Sequence, residues 1–166
     1  QVMLALNGSE SLYMDGVMKI YTTTSVWIPV AVVLLFIVIK NNTPRNTLLI
    51  ILGVALTIFL TDKVSSDIIK PLVGRLRPSH DPEMMHLIDT FNGYRSGSYS
   101  FTSSHACNSF GIFVFISLLI KNRTLSLTLL LWALINSFSR IYLGVHYPGD
   151  ILCGSIVGSL LGFIVY

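Results

Sequence analysis

Long apolar runs, separated by short polar stretches, set the organisation of this chain. Five of them approach the roughly 20 mostly apolar residues that a membrane-spanning helix needs. They lie at about 20–39, 47–60, 106–120, 125–143 and 151–166. We therefore predict an all-α integral membrane helical bundle of five to six transmembrane helices, where the sixth would come from the N-terminal segment.

The N-terminal segment, residues 1–19, mixes apolar and polar positions. This pattern predicts an amphipathic helix at the membrane interface, or part of a sixth helix. We predict that residues 20–166 form a single membrane domain. The first residue is Gln1, so we expect a trimmed or processed N terminus, and the first twenty residues predict no secretory signal.

The connections between the runs predict which face of the membrane each one occupies. The short connections 40–46 and 121–124 each contain two basic residues and no acidic residue. The positive-inside rule places both of them in the cytoplasm. The long connection, predicted as an outer loop over 61–105, and the turn at 144–150 then share the opposite face. We predict an active site at that membrane interface.

The composition supports a membrane protein and gives no sign of a nucleic-acid partner. Only 11% of the residues are charged, against about 25% in soluble domains, and the mean hydropathy is +0.71. The net charge of +3 is small, and no basic run is present. Cys107 and Cys153 lie in apolar runs without the spacing of a zinc site, which indicates small core residues.

A first polar cluster, "KPLVGRLRP" at 70–78, contains two cations at a helical spacing. Lys70 and Arg77 are seven residues apart, so one helix would place both on the same side. Two cations on one side suit a phosphate group. The alternative is that they contact lipid headgroups.

A second cluster, "SFTSSHACNSFG" at 100–111, precedes the third apolar run. Ser103 or Ser104 can cap a helix that begins near His105. The free amides at a helix start bind anions, and a histidine there can transfer a proton. An ordinary serine cap with an interfacial histidine is the alternative.

A third cluster, "SRIYLGVHYPGD" at 139–150, joins the last two runs. We predict that Arg140 ends the fourth helix and that Pro148 starts the fifth, with Asp150 in its first turn. A carboxylate near His146 can fix the tautomer of the imidazole and stabilise its charged form. Asp150 could instead simply cap the helix.

Together the clusters supply three cations, two histidines and one carboxylate on one predicted face. The sequence has no acidic cluster suited to magnesium and no Cys–His set suited to zinc. Phosphoryl transfer needs charge stabilisation, a nucleophile and an acid for the leaving group. The residue types present can meet these needs, so we predict neither a metal nor a cofactor.

These motifs resemble the type 2 phosphatidic acid phosphatase superfamily, whose signature is K-x6-R-P, P-S-G-H and S-R-x5-H-x3-D. Residues 70–78 match the first part and 139–150 match the third. Of the second part, 102–105 matches only the serine and the histidine, because Thr102 replaces proline and Ser104 replaces glycine. The resemblance covers about residues 66–162.

The resemblance implies a role for each matched residue. His146 would be the nucleophile that forms a phosphohistidine, Asp150 would orient it, and His105 would be the general acid and then the base. The phosphate-binding residues would be Lys70, Arg77, Arg140, Ser103 and Ser104. Separately, the Gly- and Ser-rich stretch 92–100 predicts a loop or lid, with Tyr94 and Arg95 as candidate headgroup contacts.

The function implied is a metal-independent membrane lipid phosphatase in a bacterial inner membrane, with its site facing the periplasm. Its substrate would be undecaprenyl diphosphate, or a phospholipid phosphate such as phosphatidylglycerophosphate or phosphatidic acid. The partners expected are this lipid phosphate and the membrane, and the oligomeric state stays open. One alternative is an inactive, non-enzymatic protein that binds lipid phosphate. A second is a haloperoxidase, against which the apolar runs argue because those enzymes are soluble.

Overall fold

Helices follow one another along the chain with short connections, apart from one long loop before the sixth helix. This computed structural model describes residues 2–8, 12–90 and 93–166, so residues 1, 9–11, 91 and 92 fall outside it. The helices are α1 Val2–Leu6, α2 Leu12–Thr22, α3 Thr24–Asn41, α4 Pro44–Asp62, a π-helix Lys63–Ile69, α5 Lys70–Val73, α6 Ser104–Ile120, α7 Arg123–Tyr142 and α8 Pro148–Val165. Within the described ranges, extended pairing is limited to an isolated antiparallel bridge between Leu76 and Tyr99. The predicted all-α fold is confirmed.

Four of the five predicted apolar runs each lie in one helix to within a residue, whereas the first, 20–39, crosses from α2 into α3 at Thr23. The helices differ in how well they could cross a membrane. Among the described residues, three are long and apolar enough: Pro44–Val73, Arg123–Tyr142 and Pro148–Val165. A fourth candidate combines Tyr13–Thr22 with Ser25–Asn41, which meet at a bend of 53°. α6 is apolar but has only 17 residues. The chain is an integral membrane helical bundle.

α6 lies at the centre of the bundle, in contact with α4, α7 and α8. α8 approaches it closely through three glycines four residues apart, Gly154, Gly158 and Gly162. A Cβ atom on Gly158 would fall within 3 Å of the backbone of Cys107, and one on Gly162 would fall as close to the carbonyl of Gly111. Small residues at this spacing allow helix backbones to pack directly against each other in membranes.

Replacing Gly158 with alanine is expected to destabilise the protein, because the added methyl group meets backbone atoms that cannot move aside. Overpacking of this kind costs about 1–3 kcal/mol, which should lower the melting temperature in detergent by several degrees. Gly16→Ala is the matched control, since a Cβ on Gly16 in α2 has nothing within 4 Å. Equal melting temperatures for the two variants would contradict the close approach of α8 to α6.

The N-terminal segment docks onto α7 and onto the long loop. The Asn7 side chain donates to the carbonyls of Asp89 and Tyr142, both at 2.9 Å, and accepts from the Asp89 amide at 2.8 Å. The Tyr142 hydroxyl donates to Asp15 on α2 at 2.6 Å. Part of the predicted segment 1–19 lies outside the described residues, and its position at the membrane interface stays a prediction.

The long loop is shorter than the sequence predicts. Instead of ending near Leu60, the helix of the second run continues through the π-helix and α5 to Val73. An ion pair of 2.6 Å between Lys63 and Asp67, one turn apart, lies on this extension. Gly74 then ends the helix in the left-handed conformation at φ +62°. The loop therefore spans 74–103 rather than 61–105.

The same turn separates two residues whose spacing would suit a common helix. Because α5 ends at Val73, no single helix contains both Lys70 and Arg77. Arg77 lies in the loop, where its amide donates to the Ser98 carbonyl at 3.1 Å. This backbone hydrogen bond within the loop, rather than helical periodicity, therefore positions Arg77.

Candidate active site

The predicted site residues meet at one end of the bundle. Here α5 and α7 end, α6 and α8 begin, and the loop 74–103 covers them. A hydrogen bond of 3.1 Å from the Ser103 amide to the Asp150 carbonyl joins the starts of α6 and α8. All three sequence clusters contribute to this one region.

His146 lies in the tight turn between α7 and α8 and is almost fully buried. Its amide donates to the Arg140 carbonyl at 3.3 Å, which closes the turn. Its Nε2 atom is 3.3 Å from Nη1 of Arg77. The Arg77 guanidinium is fixed in turn by the carbonyls of Tyr99, at 3.0 Å, and Val145, at 3.3 Å. The guanidinium of Arg77 is therefore directly beside Nε2 of the imidazole.

Burial lowers the pKa of His146 to about 4, and the nearby Arg77 acts in the same direction against the raising effect of Asp150. The imidazole is therefore neutral at all pH values above about 4, the form in which a histidine can attack phosphorus. We expect ¹⁵N NMR of labelled histidine in the ligand-free protein to show His146 unprotonated between pH 7 and pH 5. A midpoint near 6.5 would contradict the buried position.

Asp150 is fully buried in the first turn of α8, as the sequence predicts. Its carboxylate accepts from the Tyr147 amide at 2.8 Å, from Nη1 of Arg75 at 3.3 Å and from the Ser100 hydroxyl. The Oδ2 atom is 3.5 Å from Nδ1 of His146. A buried carboxylate requires such partners, and two of them, Arg75 and Ser100, are not among the predicted site residues.

Ser103 caps α6, and its hydroxyl accepts from the Ala106 amide at 3.4 Å. Its own amide donates to the Asp150 carbonyl at 3.1 Å and is therefore not available to a phosphate in this conformation. The first amides of a helix have no acceptor within the helix. Those of Ser104 and His105 occupy the first two helical positions and are the better candidates for an anion.

Ser104 stands where the resemblance expects glycine, and its side chain has a defined place. The hydroxyl accepts from the Lys70 ammonium group and lies 3.0 Å from the hydroxyls of Ser65 and Ser66. The π-helix contributes both of these serines. Ser104 thus connects α6 to the helix that presents Lys70.

Arg140 lies in the last turn of α7 and is 2% exposed. Nη1 donates to the Thr22 hydroxyl at the end of α2, and Nη2 donates to the Tyr94 hydroxyl at 3.4 Å. Its Nε atom is buried and has no hydrogen-bond partner among the described residues. A free donor on a buried guanidinium fits a phosphate oxygen. Arg95, the other candidate headgroup contact, is exposed.

The cations and histidines are near enough to act on one another. Lys70, Arg77, Arg140 and His146 all exert an electrostatic effect on His105 at the start of α6. Burial and the neighbouring Arg140 lower the pKa of Arg77 to about 10, so that this guanidinium stays charged at neutral pH. The structure therefore brings together three cations and two histidines, which is an arrangement that can bind and transfer a phosphoryl group.

Comparison with known proteins agrees with this geometry. A model of the PAP2 superfamily matches residues 46–166. The chain belongs to the PAP2 superfamily. It is a lipid phosphatase, a hydrolase of the membrane, and the match extends beyond the motifs to α4 and to the end of α8.

Two relatives and one solved structure show the extent of the similarity. The chain is 40% identical to the lipid A 4'-phosphatase of Bacteroides thetaiotaomicron, over all of this chain and 74% of that protein. It is 32% identical to the lipid A 4'-phosphatase of Porphyromonas gingivalis, over 98% of this chain and 69% of that protein. The crystal structure of Aquifex aeolicus LpxE has the same fold, with a TM-score of 0.72 at 22% identity over 99% of this chain and 92% of that one.

Proposed function

We propose that this chain removes a phosphate monoester from the sugar part of a glycolipid, as a lipid A 4'-phosphatase does, through a phosphohistidine at His146. The observation behind the substrate is the 40% identity, across the whole chain, to a protein named for that activity. This substrate takes precedence over undecaprenyl diphosphate, phosphatidylglycerophosphate and phosphatidic acid, which the motifs alone suggest equally well.

The first chemical step uses His146 and His105. The lone pair of Nε2 attacks phosphorus while the bond to the sugar oxygen breaks in line, and His105 gives its proton to the departing oxygen. Lys70, Arg77 and Arg140 neutralise the phosphoryl oxygens. The positive charge that forms on the imidazole is stabilised by the carboxylate of Asp150.

The second step regenerates the enzyme. His105, now neutral, takes a proton from water, and the resulting hydroxide oxygen attacks the phosphohistidine. The bond between nitrogen and phosphorus breaks, inorganic phosphate leaves, and His146 returns to its neutral form. The first step uses one proton of His105 and the second step returns it, so no cofactor is needed to balance the reaction.

We also propose that residues 20–166 act as one phosphatase domain in a bacterial inner membrane, with the site facing the periplasm. The support is the pair of basic connections, 40–46 and 121–124, at the opposite end of the bundle from His146. Labelling of a cysteine placed at the exposed Arg95 by a membrane-impermeant reagent in intact spheroplasts tests this orientation. Labelling only after lysis would contradict it.

Phosphate release from a panel of lipids tests the proposed function. Purified protein in detergent is offered lipid A, undecaprenyl diphosphate, phosphatidylglycerophosphate and phosphatidic acid, with and without EDTA. We expect kcat/KM for lipid A to exceed the others by at least about tenfold, which corresponds to about 1.4 kcal/mol of discrimination. Mass spectrometry of the product should show loss of the 4'-phosphate, and EDTA should leave the rate unchanged.

Different outcomes of the panel have different meanings. A higher kcat/KM for undecaprenyl diphosphate would replace the substrate and keep the mechanism. Loss of activity in EDTA, restored by a divalent metal, would contradict the metal-independent mechanism. Binding of lipid phosphates without any release would support the non-enzymatic alternative.

A further inference from the structure

Ser100 lies inside the loop 74–103, fully buried beside the His146–Asp150 pair. Its amide donates to the Arg75 carbonyl at 2.8 Å, so the backbone is held independently of the side chain. The hydroxyl contacts Oδ2 of Asp150 and lies 3.4 Å from Nδ1 of His146. The direct distance from Nδ1 to Oδ2 is 3.5 Å, so the hydroxyl is as near to the imidazole as the carboxylate is.

The Ser100 hydroxyl has a single proton, which it donates to Asp150. An ionised carboxylate can only accept hydrogen bonds, so in the contact with Asp150 the serine must be the donor. The oxygen of Ser100 is then left with lone pairs towards Nδ1 of His146. Nδ1 must therefore supply the hydrogen between them.

The contact at Nε2 of His146 leads to the same tautomer. A guanidinium only donates hydrogen bonds, and Nη1 of Arg77 lies 3.3 Å from Nε2 of His146. Nε2 must therefore present its lone pair. Two neighbours of opposite hydrogen-bonding character, Ser100 and Arg77, select the tautomer in which Nδ1 has the proton and Nε2 is free to react.

We propose that Ser100 is a positioning residue of this site, which fixes the reactive tautomer of His146 and joins its Nδ1 atom to the carboxylate of Asp150. The role rests on the proposed phosphohistidine function. Ser100 acts through His146 from the Nδ1 side of the ring, whereas the phosphate-binding residue Arg77 lies at Nε2. When the ring gains positive charge, the hydrogen bonds from Nδ1 to Ser100 and Asp150 strengthen together.

This role predicts a specific kinetic signature for Ser100→Ala. Without the hydroxyl, Nδ1 has only the long contact to Asp150 and the ring can turn or change tautomer. We expect kcat to fall about 10- to 100-fold, less than the roughly 10⁴-fold that follows loss of a carboxylate orienting a catalytic histidine, because Asp150 stays in place. KM should stay within about threefold, because Lys70, Arg77 and Arg140 are unchanged.

The experiment compares three variants with the wild-type protein. Ser100→Thr keeps a hydroxyl and is expected to recover most of the kcat lost in Ser100→Ala. Ser79→Ala is the matched control, since Ser79 is also buried, lies in the same loop, and bonds to Nδ1 of another histidine, His80, at 3.3 Å. It should leave kcat and KM unchanged. Melting temperatures in detergent show which variants are folded.

A second readout does not depend on turnover. ¹⁵N NMR of labelled histidine distinguishes the two neutral tautomers, and we expect His146 to be protonated at Nδ1 in the wild-type protein and mixed in Ser100→Ala. If the wild-type protein releases no phosphate but shows this change, the proposed function fails and the role of Ser100 in fixing the tautomer stands.

Several results would overturn the role of Ser100. They are a kcat of Ser100→Ala close to that of the wild-type protein, an unchanged tautomer, equal losses in Ser100→Ala and Ser79→Ala, or unfolding of both Ser100 variants. The last two would mean that the serine only supports the loop.

Discussion

Replacing His146 with alanine is expected to lower phosphate release by at least about 10⁴-fold, as expected when a covalent nucleophile is removed. The variant keeps Lys70, Arg77 and Arg140, so lipid phosphate should still bind, with loss confined to kcat. Rapid quenching of the wild-type protein with radiolabelled substrate should capture an acid-labile, base-stable phosphoenzyme. His146→Ala should give none.

His86→Ala is the matched control, because His86 is exposed in the loop and outside the site. It should keep full activity and form the same phosphoenzyme. If His146→Ala released phosphate at a rate near that of the wild-type protein, the phosphohistidine mechanism would be wrong. If both variants lost activity equally, general damage to the protein would be the explanation.

The fold is predictable where the physical signal is local. Apolar runs identify the helices, and the N-cap at Ser103 and the start of α8 at Pro148 follow from capping rules applied to neighbouring residues. The continuation of α4 to Val73 was not predicted, because charged residues such as Asp62 and Lys63 suggested an end. Instead, the helix continues as a π-helix, in which Lys63 forms an ion pair with Asp67 one turn further along.

The site residues likewise divide into those with a local sequence signal and those without one. The motifs identify His146 and Asp150 because their spacing is short and fixed by one turn. Ser100, Arg75 and Thr22 reach the site from 50, 75 and 118 residues away from the groups they contact. Serine and threonine are common polar residues, and nothing in the immediate sequence of Ser100 or Thr22 distinguishes them from others in the chain. Only the packed fold shows which of them face the reacting groups.

Ser104 illustrates how a departure from a motif can be accommodated. From sequence, a serine in place of glycine raises the question of space at the start of α6. In the structure its hydroxyl contacts Lys70 and the serines of the π-helix, Ser65 and Ser66. Because the hydroxyl has these partners, it does not occupy the amide of Ser104, and the start of the helix can still bind an anion.

Replacing His105 with glutamine is expected to lower kcat for a lipid phosphate by about 10²- to 10⁴-fold, the usual contribution of a general acid–base. A sugar alkoxide is a poor leaving group and needs the proton of His105. 4-Nitrophenolate leaves without one, so with 4-nitrophenyl phosphate the first step should remain fast. Only the second step, in which His105 activates water, should then be slow.

The two substrates therefore separate the two roles of His105. With 4-nitrophenyl phosphate, His105→Gln should give a burst of one nitrophenolate per protein and should accumulate the phosphoenzyme that the wild-type protein turns over. His86→Gln, at an exposed histidine of the loop, should show neither effect. Equal slowing of the first step with both substrates would contradict the acid role. It would place His105 with Lys70 and Arg77 as a residue that binds phosphate, because a binding defect does not depend on the leaving group.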